Sequence, residues 1–172
     1  MALENSVIQH TLTDQFGSAV SDFQQIHDIL TFEVESGSIS EVMSFLRDNA
    51  TLRFNFLTTL CGMHFPDAEK DRQFSVVYHM HNWIDNVRIR IKCYLGPNPE
   101  IDTVSHLFAS ANWQERETYD FFGIVFKGHP QLKRILNMDE MVSFPMRKEF
   151  PLEDGGRTDK DDRYFGRTTD NC

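Results

Sequence analysis

Leu30, Phe32 and Val34 alternate with Thr31, Glu33 and Glu35, a period of two that predicts a half-buried strand. Leu52, Phe54 and Phe56 repeat the alternation against Arg53 and Asn55 and predict a second strand. Residues 57–62 are apolar without a clear period. Residues 74–81 and 87–94 read as two further strands, joined through Asn82, Trp83, Ile84, Asp85 and Asn86 as a hairpin. Helical spacing occurs elsewhere. Val7, Ile8, Leu12 and Phe16 share one side of a short helix over 6–16 that Gly17 ends. Val42, Met43, Phe45 and Leu46 supply the core face of a helix that Ser38 or Ser40 caps and that runs to about Asn49. Residues 66–72 carry charge and a proline and read as a loop. Residues 103–109 read as a short helix.

The last helix is expected over 113–122, with Asn112 as N-cap, Glu115 at capping-box spacing and Gly123 as the stop. Trp113, Glu117, Asp120 and Phe121 share one of its faces; Glu115, Tyr119 and Phe122 share the other. Acids and aromatics thus lie on both sides, unlike a surface helix with one apolar stripe. Glu117 sits between Trp113 and Phe121, where a carboxylate needs a partner. Arg134 and Arg147 are the candidates, while Arg116 can pair with Asp120 one turn on.

This order predicts an α+β fold: a mixed four-stranded sheet with helices packed on one face, followed by an extended C-terminal arm. A helix between the first two strands lets them run parallel, and the later strands form an antiparallel meander. The α+β domain is expected over residues 1–122, ending in the last helix, with an extended segment over 123–172. Beyond Pro151 the composition turns polar and glycine-rich, with Tyr164 and Phe165 as the only aromatics. That stretch cannot bury enough to order itself alone.

Composition then narrows the functional classes. A formal net charge of −9 argues against nucleic acid as a partner. No apolar run approaches a membrane span, and the first residues lack a secretory pattern, so a cytoplasmic chain is expected. Cys61, Cys93 and Cys172 are too few and too scattered for an iron–sulfur cluster of the chain's own. Cys61-x-x-His64 and His79-x-His81 hold metal-ligand residue types. However, the apolar register sets His79 and His81 beside Arg88, Arg90 and Lys92, an unfavourable place for a cation, so no metal site is expected. Glu33 and Glu35 face the same way and are expected to cover part of that basic strip. No dinucleotide-binding glycine loop, phosphate loop or zinc-protease motif is present.

Residues 111–151 are dense in Trp, Arg, Phe, Tyr and Met, the side chains that anchor interfaces. The blocks N-W-x-E-R-E-x-Y-D-F-F-G-I-x-F-x-G-H-P, L-x-R-I-L and P-x-R-K-E-F-P succeed one another there at fixed spacing. Together they resemble the signature of the C subunit, or 30 kDa subunit, family of NADH:quinone oxidoreductase, respiratory complex I. The resemblance implies a structural subunit of the hydrophilic arm, peripheral on the cytoplasmic face of the membrane. It implies contact with the large, D-type quinone-site subunit and with cluster-bearing neighbours. NADH, quinone, FMN and iron–sulfur clusters would belong to the complex and none to this chain. Trp113, Glu115, Arg116, Glu117, Tyr119, Asp120, Phe121, Gly123, Gly128, His129, Pro130, Arg134, Arg147 and Lys148 are expected to carry folding and assembly, with no catalytic residue among them. On this reading the polar tail is an arm laid on a partner, with Tyr164 and Phe165 as its anchors. The equivalent subunit of a membrane-bound hydrogenase is the neighbouring alternative. A freestanding acid–base enzyme using Glu117 or Asp120 with His129 is the alternative of another class.

Overall fold

A computed structural model describes residues 3–150. Tyr164, Phe165 and Cys172, and with them the expected polar arm, lie outside the described residues. Helix α1 spans Asn5–Phe16 and buries Ile8 and Leu12. Strand β1, Val20–Ile26, is absent from the sequence pattern, because it buries only Val20 and shows no alternation. It is a polar edge strand that pairs with β2, Ile29–Val34, through a two-residue turn. His27 and Asp28 both take positive φ there, the geometry that matches strand twist in tight hairpins. The usual Asn-Gly signal is missing, so nothing in the sequence marks the hairpin.

Helix α2, Ile39–Asp48, buries Val42, Met43 and Leu46 at helical spacing, as expected, together with Ile39, while Phe45 is only partly buried. The strand expected over 52–56 lies further on: β3 is Phe56–His64 and takes in the apolar run that has no clear period. Leu52 and Phe54 are buried, but they plug the end of α2. Arg53 between them has φ 47°, and the Phe54 N–H donates to the Leu46 carbonyl at 2.9 Å. Strands β4, Phe74–Asn82, and β5, Val87–Leu95, stand where the pattern puts them.

The main sheet has five strands rather than four, in the order β1-β2-β5-β4-β3. The β3-β4-β5 meander is antiparallel as expected. The parallel pair is β2 with β5, and not the first two strands of the expected order. Its register sets Leu30 against Ile89 and Phe32 against Ile91, so the central strand β5 receives apolar neighbours on both sides. Burying side chains of this size is worth about 1.5–3 kcal/mol each, which decides the strand order. The opposite sheet face carries His79 beside Arg90 and His81 beside Arg88, the juxtaposition expected from the apolar register.

Strand β6, Glu100–Asp102, is followed by turns over 103–110 in place of the expected short helix. Helix α3 then spans Ala111–Phe122, and β7, Val125–Lys127, pairs in parallel with β6. Ile124 and Phe126 belong to the same core as α1 and the sheet. The packed core therefore takes in residues beyond position 122.

Candidate functional site

Helix α3 begins at Ala111, so Asn112 is not its cap. Ser110 occupies that position and donates its hydroxyl to the Leu57 carbonyl of β3 instead of capping. The face turned inward holds Ala111, Glu115 and Thr118, and Phe122 packs close by. Gly62 on β3 is what lets the helix approach. A Cβ there would meet Phe122 Cδ2 at 2.7 Å and Thr118 Cγ2 at 2.9 Å.

Glu115 is not a capping-box residue but the buried acid of the helix, and it has no exposed surface. The Thr103 hydroxyl donates to its Oε2 and the Val104 N–H to its Oε1 at 2.8 Å. His129 Nε2 lies 3.9 Å from Oε2, and the His129 side chain is fully buried too. That nitrogen donates to the Asn112 carbonyl at 3.0 Å, while Nδ1 accepts from the Gln131 N–H at 3.0 Å. His129 therefore ties the start of α3 to the turn that follows β7. Burial pushes the Glu115 carboxyl up to about 7, against the pull of the Thr103 and Val104 hydrogen bonds. An acid raised in this way is protonated in the folded protein at a pH where the unfolded chain has already ionised. Stability should thus fall as pH rises from the ordinary glutamate value to about 7. Urea titrations across this window should show a loss of about 3 kcal/mol in the wild type and a flatter profile in Glu115→Gln. Equal slopes in the two proteins would show that Glu115 is not the group responsible.

Asp120 is the second buried acid, likewise without exposed surface. Its Oδ1 accepts from Arg134 Nη1 at 2.7 Å and Asn137 Nδ2 at 3.0 Å. Its Oδ2 accepts from the N–H groups of Ile135, Leu136 and Asn137 at 3.0, 2.8 and 3.0 Å. Burial alone would raise this carboxyl, but the backbone donors of Asn137 and Leu136, with Asn137 and Arg134 side chains behind them, hold it far below the usual carboxylate range. Arg134 is thus the partner of Asp120 and not of Glu117. Glu117 is exposed and forms no ion pair among the described residues. Arg116 does not pair with Asp120 either. It donates to the carbonyls of Lys133 at 3.1 Å and Arg134 at 3.4 Å and lies over the exposed Trp113 ring. The acid–base combination of Glu117 or Asp120 with His129 is not assembled: one carboxylate is on the surface, the other is enclosed by amides, and Glu115 is the acid beside His129.

Gly123 closes α3 with φ 73° and donates its N–H to the Tyr119 carbonyl at 2.8 Å. Arg147 Nε donates to the Phe122 carbonyl at 2.7 Å, and its guanidinium lies over Phe144 and Phe74. Tyr119 meets Phe144 edge-on, and the Phe121 carbonyl accepts from the Met146 N–H. Lys148 contributes through its backbone, whose N–H donates to His64 Nδ1 at 3.0 Å. Gly128 has φ 80° in the turn before His129, and Pro130 follows it. His64, Thr103, Asn137 and Phe144 complete the arrangement; sequence reasoning weighs His64 only as a metal-ligand type and misses the other three, since their spacing to α3 carries no period.

The segment after β7 therefore has little regular structure but is fastened at several points. It presents Leu136, Met138, Val142, Met146 and Phe150 outward, with Met138 74% and Val142 94% exposed. Among the described residues no group of three or more His, Cys, Asp or Glu is placed to hold a metal ion. His79 Nε2 accepts from Arg90 Nε at 2.8 Å, which occupies the lone pair a metal would need.

The family described as respiratory-chain NADH dehydrogenase, 30 Kd subunit, matches residues 32–155. The second C subunit of the NADH-quinone oxidoreductase of Rhizobium etli is 39% identical over 153 residues, 88% of this chain and 80% of that protein. The NADH-quinone oxidoreductase C subunit of Roseiflexus sp. is 37% identical over 168 residues, 96% of this chain and 95% of that one. Among solved structures, a trypsin-resistant fragment of Nqo5 superposes with a TM-score of 0.60 at 30% identity, covering 73% of this chain and 98% of the fragment. A chain of the membrane-bound sulfane sulfur reductase, an archaeal respiratory membrane complex, gives a TM-score of 0.71 at 20% identity over 86% of this chain and 85% of that one, a likeness of fold.

Proposed function

The chain belongs to the family of the respiratory-chain NADH dehydrogenase 30 Kd subunit, and we propose that it is a cofactor-free structural subunit in the hydrophilic arm of a proton-translocating NADH:quinone oxidoreductase. In this reading it holds the quinone-site subunit and the iron–sulfur subunits at fixed geometry while electrons pass from NADH to quinone. NADH, FMN, quinone and the clusters stay with those neighbours. No described helix is long and apolar enough to cross a membrane; association with the membrane is then indirect, at its cytoplasmic face.

The observation that carries the proposal is the exposed apolar row of Leu136, Met138, Val142, Met146 and Phe150 on the fastened segment over 132–150. An apolar row left in water costs stability unless another surface covers it. The hydrogen bonds that Asp120 accepts and that Arg116, Arg134 and Arg147 donate hold that row in place before any partner arrives. Preorganisation of this kind lowers the entropy cost of association.

The test is a triple variant, Met138→Ser, Val142→Ser and Met146→Ser, in cells that assemble the complex. These side chains are exposed, so the isolated chain should unfold at the same temperature as wild type. Recovery of assembled complex and membrane NADH:quinone activity should both fall at least about tenfold, since apolar anchors dominate interface energy. Complexes that assembled normally yet turned over slowly would overturn the structural role and reopen a catalytic one.

A further inference from the structure

A second surface lies away from that segment, at the tip of the β4–β5 hairpin and along the basic face of β5. Trp83 and Ile84 at the tip are 61% and 66% exposed. Trp83 stands edge-on to Phe56 with ring centres 5.2 Å apart and lies 4.9 Å from the His81 ring. The tip is braced from within. Asn82 Oδ1 accepts the N–H groups of Ile84 and Asp85, and Asn82 Nδ2 donates to the Leu52 carbonyl and to Asp85. Asp85 also meets Arg53 at 3.4 Å. The two apolar side chains are therefore held outward by a fixed turn.

Next to this tip three cations, Arg88, Arg90 and Lys92, stand together on one face of β5 in a chain that is acidic overall. Acidic residues outnumber lysine and arginine by 26 to 17. Arg47, Arg53, Arg72, Arg134 and Arg147 each have a carboxylate within ion-pair distance. Arg88, Arg90 and Lys92 have none among the described residues. The acids nearest in register are spoken for. Glu33 stands opposite Lys92, but it does not shield the strip as the sequence led us to expect: it is gripped by both terminal nitrogens of Arg72, at 2.7 and 3.1 Å. Asp85 is held by Arg53 and Asn82. His79 accepts from Arg90 and brings no negative charge.

We propose that this face docks an acidic segment of a neighbouring protein subunit. Carboxylates of that segment would pair with Arg88, Arg90 and Lys92, and an apolar side chain would cover Trp83 and Phe56. Arginine presents a planar fork that matches a carboxylate, and an aromatic beside a charge is the composition of interface anchors. A lipid surface fits less well, because Asp85 sits at the tip and the chain carries a net charge of −9. The surface goes beyond the row at 136–150 and shares no residue with it.

The test places a photo-crosslinking amino acid at position 83 in the membrane-assembled complex, with the captured peptide identified by mass spectrometry. A second crosslinker at position 138 reads the other surface. The expected product from position 83 is a carboxylate-rich peptide of another subunit. Its yield should drop about fivefold or more in 0.5 M salt, and equally in Arg88→Glu with Lys92→Glu, because rim charges act through screened Coulomb attraction. Both replacements lie on the outward face, and an unchanged urea midpoint verifies folding. Capture of lipid, of residues 151–172 of the same chain, or of a second copy would overturn the proposal, as would a yield indifferent to salt and charge. A product from position 138 with none from 83 sinks this surface alone; the reverse sinks the reading of the 132–150 segment and leaves this one standing.

Discussion

Asp120→Ala should cost about 3–5 kcal/mol and release the segment over 134–150 from helix α3, because it leaves a buried cation without its counter-charge. The Arg134 side chain is 8% exposed, and its Nη1 donates both to the Asp120 carboxylate and to the Asp120 carbonyl. Three consecutive backbone N–H groups would also lose their acceptor, with no strand or helix to replace it. The loss should be read by urea unfolding and by amide exchange over 134–150. NADH:quinone activity of the assembled complex should disappear with it. Asp120→Asn keeps one acceptor oxygen but no charge, and should fall between. The same geometry sets a pH dependence. A carboxylate held below its ordinary value contributes stability that is fully present above about pH 4, the unfolded value, and lost as pH falls below it. Wild type should therefore lose protection of this segment in acid, whereas the alanine variant should show no such transition. If exchange over 134–150 stayed slow in Asp120→Ala, the anchor would have to be Arg116 or Arg147 instead.

Gly123→Ala is the second large effect expected. At φ 73° a side chain is strained by roughly 1–2 kcal/mol. The new Cβ would also stand 2.6 Å from Arg147 Nη2 and from Phe144 Cε2, an overlap that typically adds about 1–3 kcal/mol. Phe144 and Arg147 must then move, which breaks the Arg147 bond to the Phe122 carbonyl and loosens Lys148 from His64. Gly123→Asn separates the two causes, since asparagine tolerates this backbone region but carries the same Cβ. A cost as large as that of alanine assigns the effect to crowding, and a smaller one to the backbone. Thermal unfolding within about 0.5 kcal/mol of wild type for alanine would contradict both, being no more than an ordinary surface change.

Much of the architecture is legible in the residues. Helices α1 and α2, the β4-β5 hairpin and the outward strip of Arg88, Arg90 and Lys92 follow from periods of two and about 3.6. The edge strand β1 does not, because an exposed edge needs no apolar alternation and its turn uses His27 and Asp28. The alternation at Leu52 and Phe54 misleads, since two buried side chains around a tight turn mimic a strand.

The site divides in the same way. The blocks within 111–151 point to the family and single out α3 with the chain that follows. They do not say which of its acids is inside. With carboxylates and aromatics on both sides of the helix, no apolar stripe points to the core, and Glu117 looks as open to partners as Asp120. The close approach of α3 to Gly62 turns Glu115 and Thr118 inward, and the returning chain encloses Asp120 with its own amides. Periodicity reports only the contrast between apolar and polar positions, so it determined the elements that carry such a contrast, α1, α2, β2, β4 and β5. The fate of each charge depends on the donors that distant residues bring to it, and only the tertiary structure decides that.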